Sequence, residues 1–156
     1  MPQFELIPRS SWSWDFSVVQ DSSVVAEIEI SNWRKKDVLK VGGLHYAAYR
    51  EGVIGGAFIL ALDTTQLVRA DRASWLSRSF TIKHGEKTYR LEAEWFGSSF
   101  TLLNDGQKVG SVVPHGIFTR KTSISLPDEL PVPAQVFVIW LTVNQRKTDA
   151  GGPLMT

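Results

Sequence analysis

The sequence FILALDTTQLVRADRASWLSR occupies residues 58–78 and has counterparts 42 residues earlier and 42 residues later. The earlier counterpart is FSVVQDSSVVAEIEISNWRKK at 16–36, and the later one is FTLLNDGQKVGSVVPHGIFTR at 100–120. A fixed period of this kind indicates a chain built from repeated structural units. Five positions share their chemistry without a gap: Phe16, Phe58 and Phe100; Asp21, Asp63 and Asp105; Val25, Leu67 and Val109; Trp33, Trp75 and Ile117; Lys36, Arg78 and Arg120.

Each unit is typical of two strands joined by a tight turn. Apolar residues alternate with others before the Asp, as in a half-buried strand. The Asp side chain can bond to the backbone two residues on, and Asn104-Asp105-Gly106 tolerates the positive φ of hairpin turns. The linking segments add two strands per unit, with Gly43 and Gly85 at matching places. We therefore predict twelve strands, at 3–7, 13–20, 23–31, 36–41, 45–51, 55–62, 65–73, 78–84, 87–95, 98–104, 107–115 and 118–126.

Twelve antiparallel strands in three similar units could form a closed barrel or a three-bladed propeller. Propellers typically have about four to eight blades, so the barrel is favoured. The last apolar segment, LPDELPVPAQVFVIWLTVNQRK at 126–147, is either a helix or a buried strand. Pro131 and Pro133 suit a helix start, whereas the β-branched residues suit a strand; the helix is preferred.

A helix at 132–146 would be apolar on nearly every side, which indicates burial all round. A barrel of about eight strands is filled by its own side chains, whereas a larger one leaves a lumen. The helix would be about 22 Å long, close to the ~23 Å of a seven-residue strand. The expected fold is mainly β, a twelve-stranded antiparallel closed barrel with the apolar helix through it. Residues 1–147 would form this single domain, and 148–156 a flexible tail.

This combination of repeat, turn pattern and the segment LPDELPVPAQVFVIWL resembles the tubby-like superfamily, which includes phospholipid scramblases and LURP-one-related proteins. The resemblance extends from Phe4 to about Lys147, and the compact chain is most similar to small microbial members. It implies binding of phosphoinositide head groups by basic residues at the barrel surface, and tethering to membranes. The cysteine cluster and Pro-rich N-terminal region of scramblases have no counterpart in this sequence.

Composition adds a few exclusions. Lys and Arg number 17 against 16 Asp and Glu, so the net charge of +1 gives no global attraction to nucleic acid. The absence of Cys excludes disulfides and thiolate metal sites. The start lacks a signal-peptide pattern, and no apolar run reaches the ~20 residues of a membrane-spanning helix. The expectation is a cytoplasmic protein, peripheral to the membrane where it binds lipid, with a monomer favoured.

Basic residues recur at one place in the repeat, after the repeated Trp or Ile. Equivalent positions in a threefold barrel would lie near one rim and be spaced around it. Such donors suit a phosphate-bearing ligand, an anionic phospholipid above all, although charges at strand ends also serve solvation alone. The predicted ligand-binding residues are Arg34, Lys35, Lys36, Arg78, Arg120 and Lys121.

No catalytic constellation, cofactor motif or metal site is predicted. The repeated Asp residues suit turns, and His45, His84 and His115 occupy unrelated repeat positions. Trp33 and Trp75 are assigned to packing, whereas Trp12 could meet a membrane or a partner. The favoured function is a non-enzymatic binding or membrane-tethering module. The alternatives are a carrier or enzyme for a small apolar ligand held between helix and barrel, and a protein-interaction module.

Overall fold

Twelve antiparallel strands follow one another in sequence order around a closed barrel, and β1 pairs with β12 to complete it. The predicted mainly β architecture, a twelve-stranded closed barrel with a C-terminal helix, is confirmed. The strands are β1 Phe4–Pro8, β2 Phe16–Gln20, β3 Ser23–Glu29, β4 Lys36–Val41, β5 Leu44–Arg50, β6 Phe58–Leu62, β7 Thr65–Arg72, β8 Phe80–His84, β9 Lys87–Ala93, β10 Phe100–Asn104, β11 Gln107–Pro114 and β12 Thr122–Ser125.

The computed structural model describes residues 3–10, 13–31, 36–52, 56–72, 77–94, 99–115 and 121–151, with side chains to residue 148. Several residues singled out in the sequence lie outside this part of the chain: Trp12, Trp33, Arg34, Lys35, Trp75 and Arg120. The helix α1 spans Val132–Gly151, so it begins as predicted and ends later than residue 146. No helix within the described ranges is long and apolar enough to cross a membrane.

The two ends of the barrel differ in how the strands are joined. At the turn end, two-residue turns connect β2 to β3, β4 to β5, β6 to β7, β8 to β9 and β10 to β11. At the loop end, longer connections join β1 to β2 and each later odd strand to the next even one. Asp21, Asp63 and Asp105 begin three of the turns with φ of +50°, +54° and +52°. Asp is among the few residues that visit this conformation readily, so the predicted turn role is confirmed.

The repeated aliphatic position is a β-bulge. The register shifts at the same point of three hairpins, which leaves Val25, Leu67 and Val109 as the extra residues. A bulge bends its strand and increases the local twist, and both help a sheet to curl into a barrel. The 42-residue repeat therefore encodes curvature as well as strand position.

The barrel interior is filled by α1. The repeated residues Phe16, Phe58 and Phe100 face inward and are at most 3% exposed. Helix residues 136–143 are each at most 2% exposed. Trp140 stacks on Phe137 with ring centres 5.6 Å apart and meets Phe58 edge-on at 5.8 Å. Because eight consecutive helical residues are buried on every side, the barrel wall must surround α1.

Between β12 and α1 the chain is anchored at the turn end. Glu129 accepts hydrogen bonds from the Lys87 ammonium at 2.6 Å and from the Tyr89 phenol at 2.9 Å. Burial, together with Glu129, raises the pKa of Tyr89 to about 12, so the phenol remains a donor at neutral pH. The buried Gln135 amide donates to the carbonyls of Pro127 and Leu130, at 3.2 Å and 2.6 Å. These contacts direct the chain from the wall to the barrel axis.

Equivalent residues of the β4–β5 and β8–β9 hairpins are 43 residues apart, and not 42. Ile28 pairs with Leu39, but its counterpart 42 residues later, Ala70, pairs with Ile82. The connection from β3 to β4 is therefore one residue shorter than the one from β7 to β8. The first residue of the β4–β5 turn is Gly42, and the first residue of the β8–β9 turn is Gly85. The predicted match of Gly43 with Gly85 is wrong for this reason.

Candidate interaction surface at the loop end

The predicted basic residues that the structure describes all lie at the loop end. Lys36 begins β4, Arg78 lies two residues before β8, and Lys121 lies directly before β12. These three strands are four positions apart around the barrel. With neighbouring strands ~4.8 Å apart, the three rim positions are separated by roughly 15–19 Å. They share one rim, but they do not converge on a single point.

The 43-residue spacing changes which basic residues are equivalent. By strand register, Lys36 corresponds to Ser79 and Lys121, and not to Arg78. Lys36 points outward, with its ammonium 4.6 Å from the centre of the Tyr49 ring. Lys121 is exposed, whereas Arg78 is half-buried and its Nε is inaccessible to solvent. The alignment of Lys36 with Arg78 is therefore wrong, because a slip of one residue exchanges the two faces of a strand.

Inside the rim, the middle and the C-terminal part of α1 make polar contacts with the wall. The Trp140 indole N–H donates to the Asp37 carboxylate at 2.9 Å. The Arg146 guanidinium donates to the Thr122 hydroxyl at 2.8 Å. Asp37 and Thr122 begin or nearly begin their strands and face inward, so they can meet a helix on the barrel axis. These contacts fix the rotation of α1 at the loop end.

Arg72 connects α1 to the barrel wall through a hydrogen bond and through cation–π contacts. Its guanidinium lies 5.1 Å and 5.2 Å from the ring centres of Phe58 and Phe80, and it donates to Gln145 at 2.8 Å. Cation–π contacts of this kind contribute about 0.5–2 kcal/mol, depending on desolvation. Sequence reasoning missed Arg72 because its partners lie on β6, β8 and α1, which only the folded barrel brings together.

Asp37 is a loop-end carboxyl whose pKa is raised, whereas that of Glu29, at the loop end of β3, is lowered by hydrogen bonds and charge from Lys40 and Arg9. Burial raises the pKa of Asp37, although hydrogen bonds from the Ser31 N–H and the Trp140 indole, and the charge of Lys147, act in the opposite direction. The folded protein therefore binds a proton at Asp37 more tightly than the unfolded chain does. The resulting stabilisation is fully present below the ordinary Asp pKa of about 3.9 and is lost as the pH rises through the raised value.

We therefore expect the difference in free energy of unfolding between Asp37→Asn and the wild type to change between about pH 3 and pH 7. The wild type loses the Asp37 contribution as the carboxyl ionises, and the variant does not. Urea unfolding across this range should show the difference moving in favour of the variant as the pH rises. Asp21→Asn, at an exposed turn, is the control for the substitution itself. A stability difference that does not change with pH, or that moves in favour of the wild type as the pH rises, would contradict the raised pKa of Asp37.

The three histidines are divided between the two ends of the barrel. His45 and His84 flank turns of the turn end, whereas His115 follows β11 at the loop end. Among the residues that the structure describes, no group of three or more His, Cys, Asp or Glu side chains could hold a metal ion. The histidines therefore do not come together as one site.

A groove of about 290 Å³ lies on the outer wall and not between helix and barrel. Its lining includes Thr81, Thr88, Arg90 and Leu103, which belong to three neighbouring strands. Arg90 is paired with Glu92 at 2.7 Å. The groove is open and mixed in chemistry, so it does not favour the small apolar ligand that a carrier would hold.

Comparisons with known proteins place no further constraint on the site. No protein-family model matches the chain, and no curated protein or solved structure matches it. The resemblance to the tubby-like superfamily therefore stays a prediction that rests on the repeat and the terminal helix.

Proposed function

We propose that this chain is a non-enzymatic binding module that attaches to membranes containing anionic phospholipids through the loop end of its barrel. The observation that carries the proposal is the placement of Lys36, Arg78 and Lys121 around one end. Cations spread over a rim can meet the phosphates of a lipid surface together. At roughly 15–19 Å apart they are too distant to share one small anion.

Acidic side chains at the same end are turned toward partners within the protein. Asp15 accepts a hydrogen bond from the Ile30 N–H at 2.9 Å, and Glu94 accepts one from the Thr101 hydroxyl at 2.6 Å. Asp37 is held by the Trp140 indole inside the rim. Asp15 and Asp37 are thereby less exposed than Lys36 and Lys121, which are better placed to meet a surface.

The expected attraction is modest and sensitive to salt. Each Lys or Arg close to an anionic membrane contributes about 1 kcal/mol, so the exposed Lys36 and Lys121 would supply ~2 kcal/mol. The predicted residues Arg34, Lys35 and Arg120 would add to it. Because the net charge of the chain is only +1, the remainder of the protein gives little further attraction. Screening over ~8 Å at physiological ionic strength should weaken attachment as salt is added.

Sedimentation with vesicles tests the proposal. We expect the chain to pellet at low salt with phosphatidylcholine vesicles that contain phosphatidylglycerol, and not with phosphatidylcholine alone. Lys36→Glu/Lys121→Glu should lower the partition coefficient by at least about tenfold, since two attractions become repulsions. Lys83→Glu/Lys108→Glu makes the same change in charge at exposed positions near the turn end and should have little effect. The absence of binding at low salt, or equal losses in the two double variants, would refute the proposal.

A further inference from the structure

A histidine lies at the loop end, on the same rim as the basic residues of the proposed attachment. The chain has three His residues, and His115 is the one at the loop end; His45 and His84 adjoin the turn end. Histidine is the side chain that ordinarily changes its charge between about pH 5 and pH 8. His115 can therefore add a positive charge to the surface that carries the predicted basic residues.

His115 stands directly beside Lys121. Its N–H donates to the Lys121 carbonyl at 2.8 Å, which extends the β11–β12 ladder one step beyond the pairing of Pro114 with Thr122. Such cross-strand neighbours point to the same face with Cβ atoms ~5 Å apart. Both side chains are exposed, and His115 Nε2 contacts the hydroxyl of Ser123. A protonated ring would thus join an ammonium and a hydroxyl at one place on the rim.

The charged groups around His115 come from several strands. Lys121 lies on the β12 side, and on β1 Glu5 pairs with Ser123, on the far side of that serine from β11. Glu94 follows β9 and is bound to Thr101. Lipid phosphates brought close to the rim would favour the charged form of the ring. By linkage, the charged ring must then favour the lipid surface to the same degree.

We infer that His115 makes the attachment of the loop end to anionic membranes dependent on protons, with tighter binding when its ring is protonated. This inference rests on the proposed attachment through the loop end and adds its regulation. One additional positive charge close to an anionic surface corresponds to about a fivefold gain in partitioning. The site acts as an anion-binding point that is complete only when His115 is protonated.

The test is vesicle partitioning of the full chain at about pH 5.5 and pH 7.5, at constant ionic strength. Phosphatidylglycerol vesicles are used because the lipid phosphate keeps its charge over this range. The wild type and His84→Asn should bind about fivefold more tightly at the lower pH. His115→Asn should keep the affinity of the higher pH and lose the gain. His115→Lys, charged at both pH values, should bind tightly at both.

The possible results distinguish a failure of the role of His115 from a failure of the attachment through the loop end. If the wild type binds the vesicles at neither pH, the attachment itself is refuted. If it binds equally at both, or if His115→Asn keeps the gain, the role of His115 is overturned and loop-end attachment stands. Asp37 titrates in all of these variants, so its effect cancels in the comparison. Loss of tight binding at the higher pH in His115→Lys would also overturn the role of His115.

Discussion

Phe58→Ala is expected to lower the free energy of unfolding by about 3–5 kcal/mol. Phe58 is buried at the start of β6 and meets the Phe80 and Trp140 rings edge-on, with centres 5.6 Å and 5.8 Å away. The Arg72 guanidinium lies against the same ring. Truncation removes these contacts together and leaves a cavity between the wall and α1, which the closed barrel cannot collapse to fill.

Phe100→Ala is the matched control. Phe100 holds the equivalent place on β10 and is as deeply buried, but within the described residues it has no aromatic neighbour. Each aromatic pair contributes about 0.5–1.5 kcal/mol beyond burial, so Phe58→Ala should be the more damaging change. Urea unfolding followed by circular dichroism measures both. Equal losses would show that burial alone stabilises these positions and that contact with Trp140 adds nothing.

Gly110→Val is expected to destabilise the protein although it makes the repeat more regular. Ala26 and Val68 hold the equivalent positions on β3 and β7, and consensus changes commonly stabilise proteins. A Cβ at Gly110 would lie 2.6 Å from the Ser125 carbonyl oxygen and 3.2 Å from the Leu126 Cδ2. We expect Gly110→Ala to cost about 1–3 kcal/mol, and the larger Val to cost more.

Ser111→Val controls for the effect of a β-branched residue on β11. Ser111 is the next residue along the strand and faces outward, opposite Thr101. A valine there should be neutral or slightly stabilising, since β-branched residues suit a half-exposed strand. Thermal unfolding of the wild type, Gly110→Val and Ser111→Val gives the comparison. If Gly110→Val melts at or above the wild-type temperature, the prediction is contradicted, because Ser125 and Leu126 then do not block a side chain at position 110.

The strands could be predicted because their signals are local. The turn at Asp105-Gly106 and the alternation before it are properties of a few adjacent residues, and the structure reproduces them closely. The terminal helix was harder to predict, because its prolines suit a helix start whereas its β-branched residues suit a strand. Burial settles it, since residues 136–143 are enclosed on all sides and a helix satisfies its own backbone hydrogen bonds there.

Which residues of a strand point into the barrel could be predicted only where the 42-residue period holds. A shortening by one residue between β3 and β4 leaves the composition of the repeat unchanged but reverses the facing of β4. Tyr46 and Tyr89, both buried and 43 residues apart, were the signal that could have revealed it. The contacts of Arg72, Asp37 and Arg146 with other elements had no such signal. They depend on the rotation of α1, which packing over the entire interior determines.

The closing pair of strands has a consequence for biosynthesis. Phe4 pairs with Ile124, 120 residues later, and α1 follows β12 in the chain. On the ribosome, β1 is made first and must wait for its second neighbour until the last strand emerges. During that wait the nascent sheet has open edges and an unfilled apolar face, the condition in which chains aggregate. Such distant pairings also slow folding, so this protein should depend on chaperones most strongly just before its helix is translated.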